Sequence, residues 1–166
     1  MSKINSKKNN KSTLKIRGFE VVSDTHRQHS DMEIKTPIRA DSGSCAYDFF
    51  SPVDFEIYPD ETFLVWTDIK AYMQPSECLE INVRSSIGRK KKCVLVNTIG
   101  WIDATYYNNP DNDGNIGICL LNKSKKIQTF KKGERIAQGK FGVFLTADVD
   151  EVLKETRDGG YGSSGE

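Results

Sequence analysis

The chain has 166 residues, 37% of them hydrophobic and 28% charged, with a formal net charge of +1. That length suits one domain with its own core. The near-neutral balance excludes the broad electrostatic footprint of a nucleic-acid-binding protein, and no apolar run reaches the length of a membrane-spanning helix, so a cytoplasmic protein with no stable nucleic-acid partner is the expectation.

Residues 1–13, "MSKINSKKNNKST", are polar and basic and read as a disordered, solubilising tail. From Leu14 the pattern turns strand-like. "LKIRGFEVV" alternates, "VDFEIY" sets Val53, Phe55 and Ile57 against Asp54 and Glu56, and "TFLVWTDIKAYM" reads as one longer, more buried run. "CLEINV", "KCVLVN", "NIGICLLN", "KIQTF" and "RIAQGKFGVF" continue the series, bounded by Pro, Gly, Asn and Asp. One short helical turn is expected at "IGRKK". Short strands at this spacing, with almost no helix, predict an all-β jelly roll or barrel over 14–150. Residues 151–166 form a separate C-terminal segment that ends in a glycine-rich stretch. Cys45, Cys78, Cys93 and Cys119 form no close pair, so buried free thiols are expected rather than zinc ligands. His26 and His29 lie in the polar segment "DTHRQHSD" and read as loop residues.

Five stretches carry more chemistry than a strand or turn requires. In "SCAYDFFS", Asp48 lies among aromatic residues, where an unpaired carboxylate is costly to bury. "VRSSIGRKKK" offers the Arg84 guanidinium, the Ser85 and Ser86 hydroxyls and turn amides, an inventory for phosphate oxygens. Arg89 to Lys92 alone read as a solvated charge run. "NTIGWIDATYYNNPDNDGNIGI" contains Asn97, Gly100, Ile102, Asp103 and Tyr106 and looks like a β-hairpin, with a polar loop at 108–114. That loop holds two aspartates but lacks the downstream glutamate of a calcium loop. "KGERIAQGKF" places Arg135 and Gln138 within a strand. The chain ends "RDGGYGSSGE", which reads either as a frayed terminus or as an arm able to close over a ligand.

The order of these stretches is more specific than any one of them. A carboxylate stretch, an Arg-Ser-Ser turn, G-x-I-D-x-x-Y, R-I-A-Q and a glycine-rich aromatic arm follow one another from Ala46 to Gly165, and this series resembles the trimeric dUTP pyrophosphatases, or dUTPases. Departures from the family pattern are Ala46 before Tyr47-Asp48, Val83 before Arg84, the inserted "NNPDND" after the hairpin tyrosine, Arg157 one residue closer than usual to the arm's aromatic, and Tyr161 as that aromatic.

The resemblance implies hydrolysis of dUTP to dUMP and pyrophosphate in a distorted jelly-roll barrel that assembles as a homotrimer. Asp103 would orient and deprotonate the attacking water. Asp48 would hold Mg²⁺ through its water ligands. Arg84, Ser85, Ser86 and Gln138 would serve the phosphates, Arg135 would bind substrate, and Asn97, Gly100 and Ile102 would serve the uracil. Tyr106 would pack under the deoxyribose. Arg157, Tyr161, Gly162 and Ser163 would close the arm over the substrate. The dCTP deaminases share the R-S-S turn and a G-[WY]-I-D segment, but need a glutamate on the following strand, here "NIGICLLN". A third reading is a regulatory binding protein that uses the 108–114 insertion as its surface.

Overall fold

The computed structural model describes residues 14–152, and these are almost entirely β-structure. In chain order the strands are β1 (Gly18–Val21), β2 (Ile38–Arg39), β3 (Tyr47–Phe50), β4 (Phe55–Ile57), β5 (Thr62–Trp66), β6 (Ile69–Tyr72), β7 (Glu77–Val83), β8 (Cys93–Leu95), β9 (Gly100–Asp103), β10 (Gly117–Asn122), β11 (Gln128–Phe130) and β12 (Arg135–Val143). The expected helical turn is present at Ile87–Lys91 and is wound as a π-type turn.

The strands form four antiparallel ladders. The largest is five-stranded, in the order β2-β3-β12-β7-β9. A three-stranded ladder runs β5-β10-β8, and two-stranded ladders join β1 to β6 and β11 to β4. Among the described residues these ladders do not merge into one continuous barrel. Between them lies a single apolar core that includes Phe49, Ile57, Leu79, Ile118, Leu120, Phe130 and Ile136. Alternation set by the pleat explains how each strand serves it: β4 buries Phe55 and Ile57 and exposes Glu56, and β10 buries Ile118, Leu120 and Asn122 with half-buried residues between them.

Three expectations change. The stretch around Asp48 is an ordinary inner strand, β3, between β2 and β12. The run "TFLVWTDIKAYM" is two strands in different ladders, because Asp68 takes a left-handed backbone (φ 55) and turns the chain between β5 and β6. The segment from Gly100 to Asn122 is not a paired hairpin: β9 joins β7, whereas β10 joins β5 and β8. The polar stretch between them is therefore a crossover from one ladder to another.

Candidate functional site

At one end of the five-stranded sheet, the side chains expected to serve phosphate come together. Asp48 is 5% exposed. Its cost of burial is met by two guanidinium groups, Arg84 Nε at 2.8 Å from Oδ1 and Arg135 NH1 at 3.1 Å from Oδ2. The ladder sets this meeting. Gln138 on β12 lies opposite Asp48 on β3 and opposite Asn82 on β7, so Arg84 follows directly at the end of β7. Ser85 is exposed and Ser86 half-buried where the chain enters the π-type turn. Ile87 anchors that turn in the core, and its amide bonds back to the Arg84 carbonyl at 2.9 Å. Two guanidinium groups thus meet one carboxylate, with Gln138 opposite it in the ladder and Ser85 and Ser86 directly after Arg84, and the Arg135 side chain remains 45% exposed. The arrangement suits a polyanion: it presents excess positive charge and neutral donors at the surface.

The residues expected to serve the nucleoside lie elsewhere. Gly100, Ile102 and Asp103 are on β9, the outer strand of the same sheet. Gly100 sits opposite Ile81, where an added Cβ would come within 3.3 Å of the Ile81 Cβ, so glycine permits the close approach of β9 to β7. Asp103 is exposed and lies opposite Cys78. Arg84 is six residues further along β7, about 20 Å away at the rise of an extended strand. One chain therefore cannot bring Asp103 to the Asp48–Arg84–Arg135 cluster. Asn97 is exposed in the turn between β8 and β9, beside Thr98, which has φ 66.

Tyr106 follows β9 on a single 3₁₀ turn, Ala104–Tyr106. It is 4% exposed and belongs to the apolar core. Its hydroxyl donates to the Asn115 carbonyl at 2.8 Å. The tyrosine is thus a core residue, and only a sliver of its ring is left to face a sugar. Arg157, Tyr161, Gly162 and Ser163 lie outside the described residues.

The 108–114 insertion leaves Asn108, Pro110 and Asp111 exposed but ties several of its polar groups into the fold. Asn109 is buried and donates to the Tyr106 carbonyl at 2.8 Å, while Lys70 Nζ reaches Asn108 Oδ1 at 2.7 Å and both Asp113 oxygens at 2.9 Å. Gly114 has φ 83, and an added Cβ would stand 2.8 Å from the Tyr106 carbonyl oxygen, so the turn demands glycine. Burial raises the Asp113 pKa, but the Ser23 amide and the Lys70 ammonium outweigh it, and the carboxyl is held below its ordinary value.

Behind the insertion, Asp68 is fully buried. It accepts from the amides of Gln28 (2.9 Å) and His29 (2.8 Å) and from Asn115 Nδ2 (2.9 Å), and Arg27 Nε lies 3.7 Å away. The histidine segment is thus part of a structural network, with His29 Nε2 3.0 Å from the Trp66 carbonyl. Sequence reading missed this network, although the clue was the one that marked Asp48: a carboxylate inside an apolar run.

A cavity of about 400 Å³ opens between Lys35, Phe50, Thr67 and Lys132 and includes none of the residues expected in the site. Among the described residues, no three His, Cys, Asp or Glu side chains gather into a metal cage, and no helix is long and apolar enough to cross a membrane.

A family model described as dUTPase matches residues 32–165. The chain is 44% identical over 153 residues to a deoxyuridine 5'-triphosphate nucleotidohydrolase of Lactococcus lactis subsp. lactis (strain IL1403), a match that covers 92% of this chain and 99% of that protein. It is 35% identical over 136 residues to the protein of the same name from Neisseria meningitidis serogroup A, covering 78% of this chain and 87% of the relative. Among solved structures, the crystal structure of dUTPase from Streptococcus mutans superposes with a TM-score of 0.70 at 38% identity, over 80% of this chain and 99% of that one.

Proposed function

This chain belongs to the dUTPase family, and from that premise we propose how its residues hydrolyse dUTP to dUMP and pyrophosphate. The enzyme is a hydrolase of dUTP. The observation that carries the mechanism is the placement of two groups at opposite ends of one sheet: a guanidinium-rich cluster around Asp48, and an exposed carboxylate, Asp103, on the outer strand.

A site complete in chemistry but split in space is completed by a second copy of the chain. The phosphate cluster of one subunit faces the β9 segment of another, and the trimer of the family is the assembly that fits. Exposed apolar side chains support such association: Trp101 on β9 is 58% exposed, and Val143 and Leu145 at the end of β12 are 71% and 94% exposed.

Asp103 accepts the proton of a water whose oxygen attacks the α-phosphorus. The bond from that phosphorus to the oxygen bridging to the β-phosphate breaks, and pyrophosphate leaves with the bond's electron pair. Arg84, Arg135, Ser85, Ser86 and Gln138 hold the phosphate oxygens and offset the charge that builds on them. Asn97 and the backbone from Gly100 to Ile102 read the uracil edge. A close-fitting backbone rejects the thymine methyl, and its fixed hydrogen-bond pattern rejects cytosine. Tyr106 forms the floor beneath the deoxyribose. Arg157 would pair with the terminal phosphate and Tyr161 would stack on the base, with Gly162 and Ser163 serving the phosphates.

The donor set fits a hydrated Mg²⁺ carried in on the triphosphate rather than a protein cage, because the phosphate end supplies a single carboxylate already paired with two guanidinium groups. Asp48 would hold that ion through its water ligands, and the ion would supply charge neutralisation across the phosphates.

The deaminase reading lacks its acid/base group, since β10 reads Gly-Ile-Cys-Leu-Leu-Asn with no glutamate. A regulatory partner would need the 108–114 insertion as its surface, and there Asn108, Asn109 and Asp113 are bonded to the fold. Four free thiols favour a reducing, cytoplasmic setting. Product analysis with dUTP and dCTP, with and without Mg²⁺, tests the proposal. dUMP and pyrophosphate from dUTP alone, at a rate raised by Mg²⁺, are expected; dUTP formed from dCTP, or no turnover at all, would overturn it.

A further inference from the structure

The inserted loop places a polar clamp on Tyr106. Its hydroxyl is held from two sides: it accepts from Asn112 Nδ2 at 2.7 Å and donates to the Asn115 carbonyl at 2.8 Å. The orientation of the Asn112 amide is determined by its other contacts. Asn112 Oδ1 accepts from the Gly114 amide at 3.0 Å and from Asn109 Nδ2 at 2.8 Å. A backbone N–H can only donate, so the oxygen faces Gly114 and the NH₂ group faces the tyrosine. The acceptor on the other side is equally fixed. Asn115 is 1% exposed, its Nδ2 donates to Asp68, and its Oδ1 accepts from the Asp68 amide at 3.0 Å. The clamp is therefore anchored in a buried network at one end and in a glycine-locked turn at the other.

We propose that Asn112 is a positioning residue for sugar selection, holding the Tyr106 ring at the height and tilt that leave no room for a 2'-hydroxyl. This rests on the reading of Tyr106 as the floor beneath the deoxyribose. A ring only 4% exposed in a packed core can still rock about its Cβ if its outer end is loose. Two opposed hydrogen bonds at the hydroxyl remove that freedom. A 2'-hydroxyl is excluded by a shift of well under an ångström, so the tilt of the ring matters more to UTP than to dUTP.

The sharp variant is Asn112→Asp, which keeps the oxygen facing Gly114 and Asn109 and removes the donor to Tyr106. The readout is kcat/KM for dUTP and for UTP in the full-length enzyme. Asn112→Asp is expected to lower the dUTP/UTP ratio about three- to tenfold, the equilibrium worth of one hydrogen bond, mainly by raising kcat/KM for UTP. A purely structural role would lower both values together. Tyr106→Phe keeps the ring and removes the hydroxyl, so it should lower the ratio by a similar factor, and Asn112→Asp added to it should change the ratio no further. If Asn112→Asp fails to fold, Tyr106→Phe alone decides: an unchanged ratio overturns the proposal. So do independent, multiplicative effects in the double variant. An unmoved ratio in Asn112→Asp alongside a lowered ratio in Tyr106→Ala overturns the positioning role alone. An unmoved ratio in Tyr106→Ala overturns the sugar-floor reading as well.

Discussion

The two ends of the five-stranded sheet solve the problem of buried polarity in opposite ways. Around Asp48, one carboxylate is matched by two guanidinium groups, and the surplus positive charge stays at the surface. Near β9, the polar groups of the insertion and of Asp68 answer one another within the fold, and Asp103 is left exposed on the outer strand. An unbalanced cluster is built to receive a charged ligand, whereas a balanced one is built to hold a shape. The contrast agrees with the proposed roles of the first end and of Asp103, and with scaffolding by the bonded groups of the insertion.

The largest test of that contrast acts on catalysis. Asp103→Asn should leave a folded protein that binds dUTP but has lost about 10²–10⁴ in kcat, the usual contribution of a positioned base. Arg84→Ala should be similarly impaired, through loss of phosphate contacts. The proposed two-chain site puts these residues on different subunits, so mixing the two inactive variants under conditions of subunit exchange should restore measurable turnover. Activity that stays at the level of the separate variants would break the two-ended site.

Stability should respond at the other end. Asp68→Ala removes a fully buried carboxylate that serves three donors, and should cost roughly 3–5 kcal/mol, as breaking a buried charged network does. Chemical denaturation measures it, and a loss below about 1 kcal/mol would remove Asp68 as the anchor of the insertion. Tyr106→Ala joins both ends of the comparison. It should cost about 3–5 kcal/mol for the lost core ring and should also lower the dUTP/UTP ratio of kcat/KM, a quantity that the folded fraction does not alter.

The smallest effect is a pH dependence. The Asp113 carboxyl is held below its ordinary value of 3.8 in the folded chain. Its contribution is therefore complete above that ordinary value and is lost as pH falls through the lower folded value. Asp113→Asn should be less stable than the parent by about 1–3 kcal/mol at neutral pH. The gap should close in acid below pH 3.8, which thermal melts at stepped pH will show. A gap independent of pH would mean that the Lys70–Asp113 contact at 2.9 Å contributes through shape rather than charge.

Most of this was legible in local sequence, and the exceptions share one cause. Alternation in "VDFEIY" and "CLEINV" marked β4 and β7 correctly, because the pleat sends successive side chains to opposite faces whatever the strand pairs with. The R-I-A-Q strand and the turn at "IGRKK" were equally plain. The supposed hairpin after Asp103 was misread because the choice of ladder partner is non-local. Nothing between Gly100 and Asn122 states that β9 will join β7 while β10 joins β5 and β8.

By itself, the sequence determined which chemistry-bearing residue types occur and in what order: a carboxylate among aromatics, an Arg-Ser-Ser turn, G-W-I-D and a strand glutamine, Gln138. Those are properties of residue type and short spacing, which survive any packing. Only the tertiary structure decided where they meet. It paired Gln138 with Asp48 and brought Arg84 and Arg135 to one carboxylate. It set Asp103 opposite Cys78, about 20 Å along β7 from Arg84. It also drew Tyr106 into the core and closed the insertion over it. Ladder register and burial are set by contacts between residues distant in the chain, and that is why the separation of Asp103 from the Asp48 cluster and the bonds that hold the Tyr106 hydroxyl emerge only from the fold.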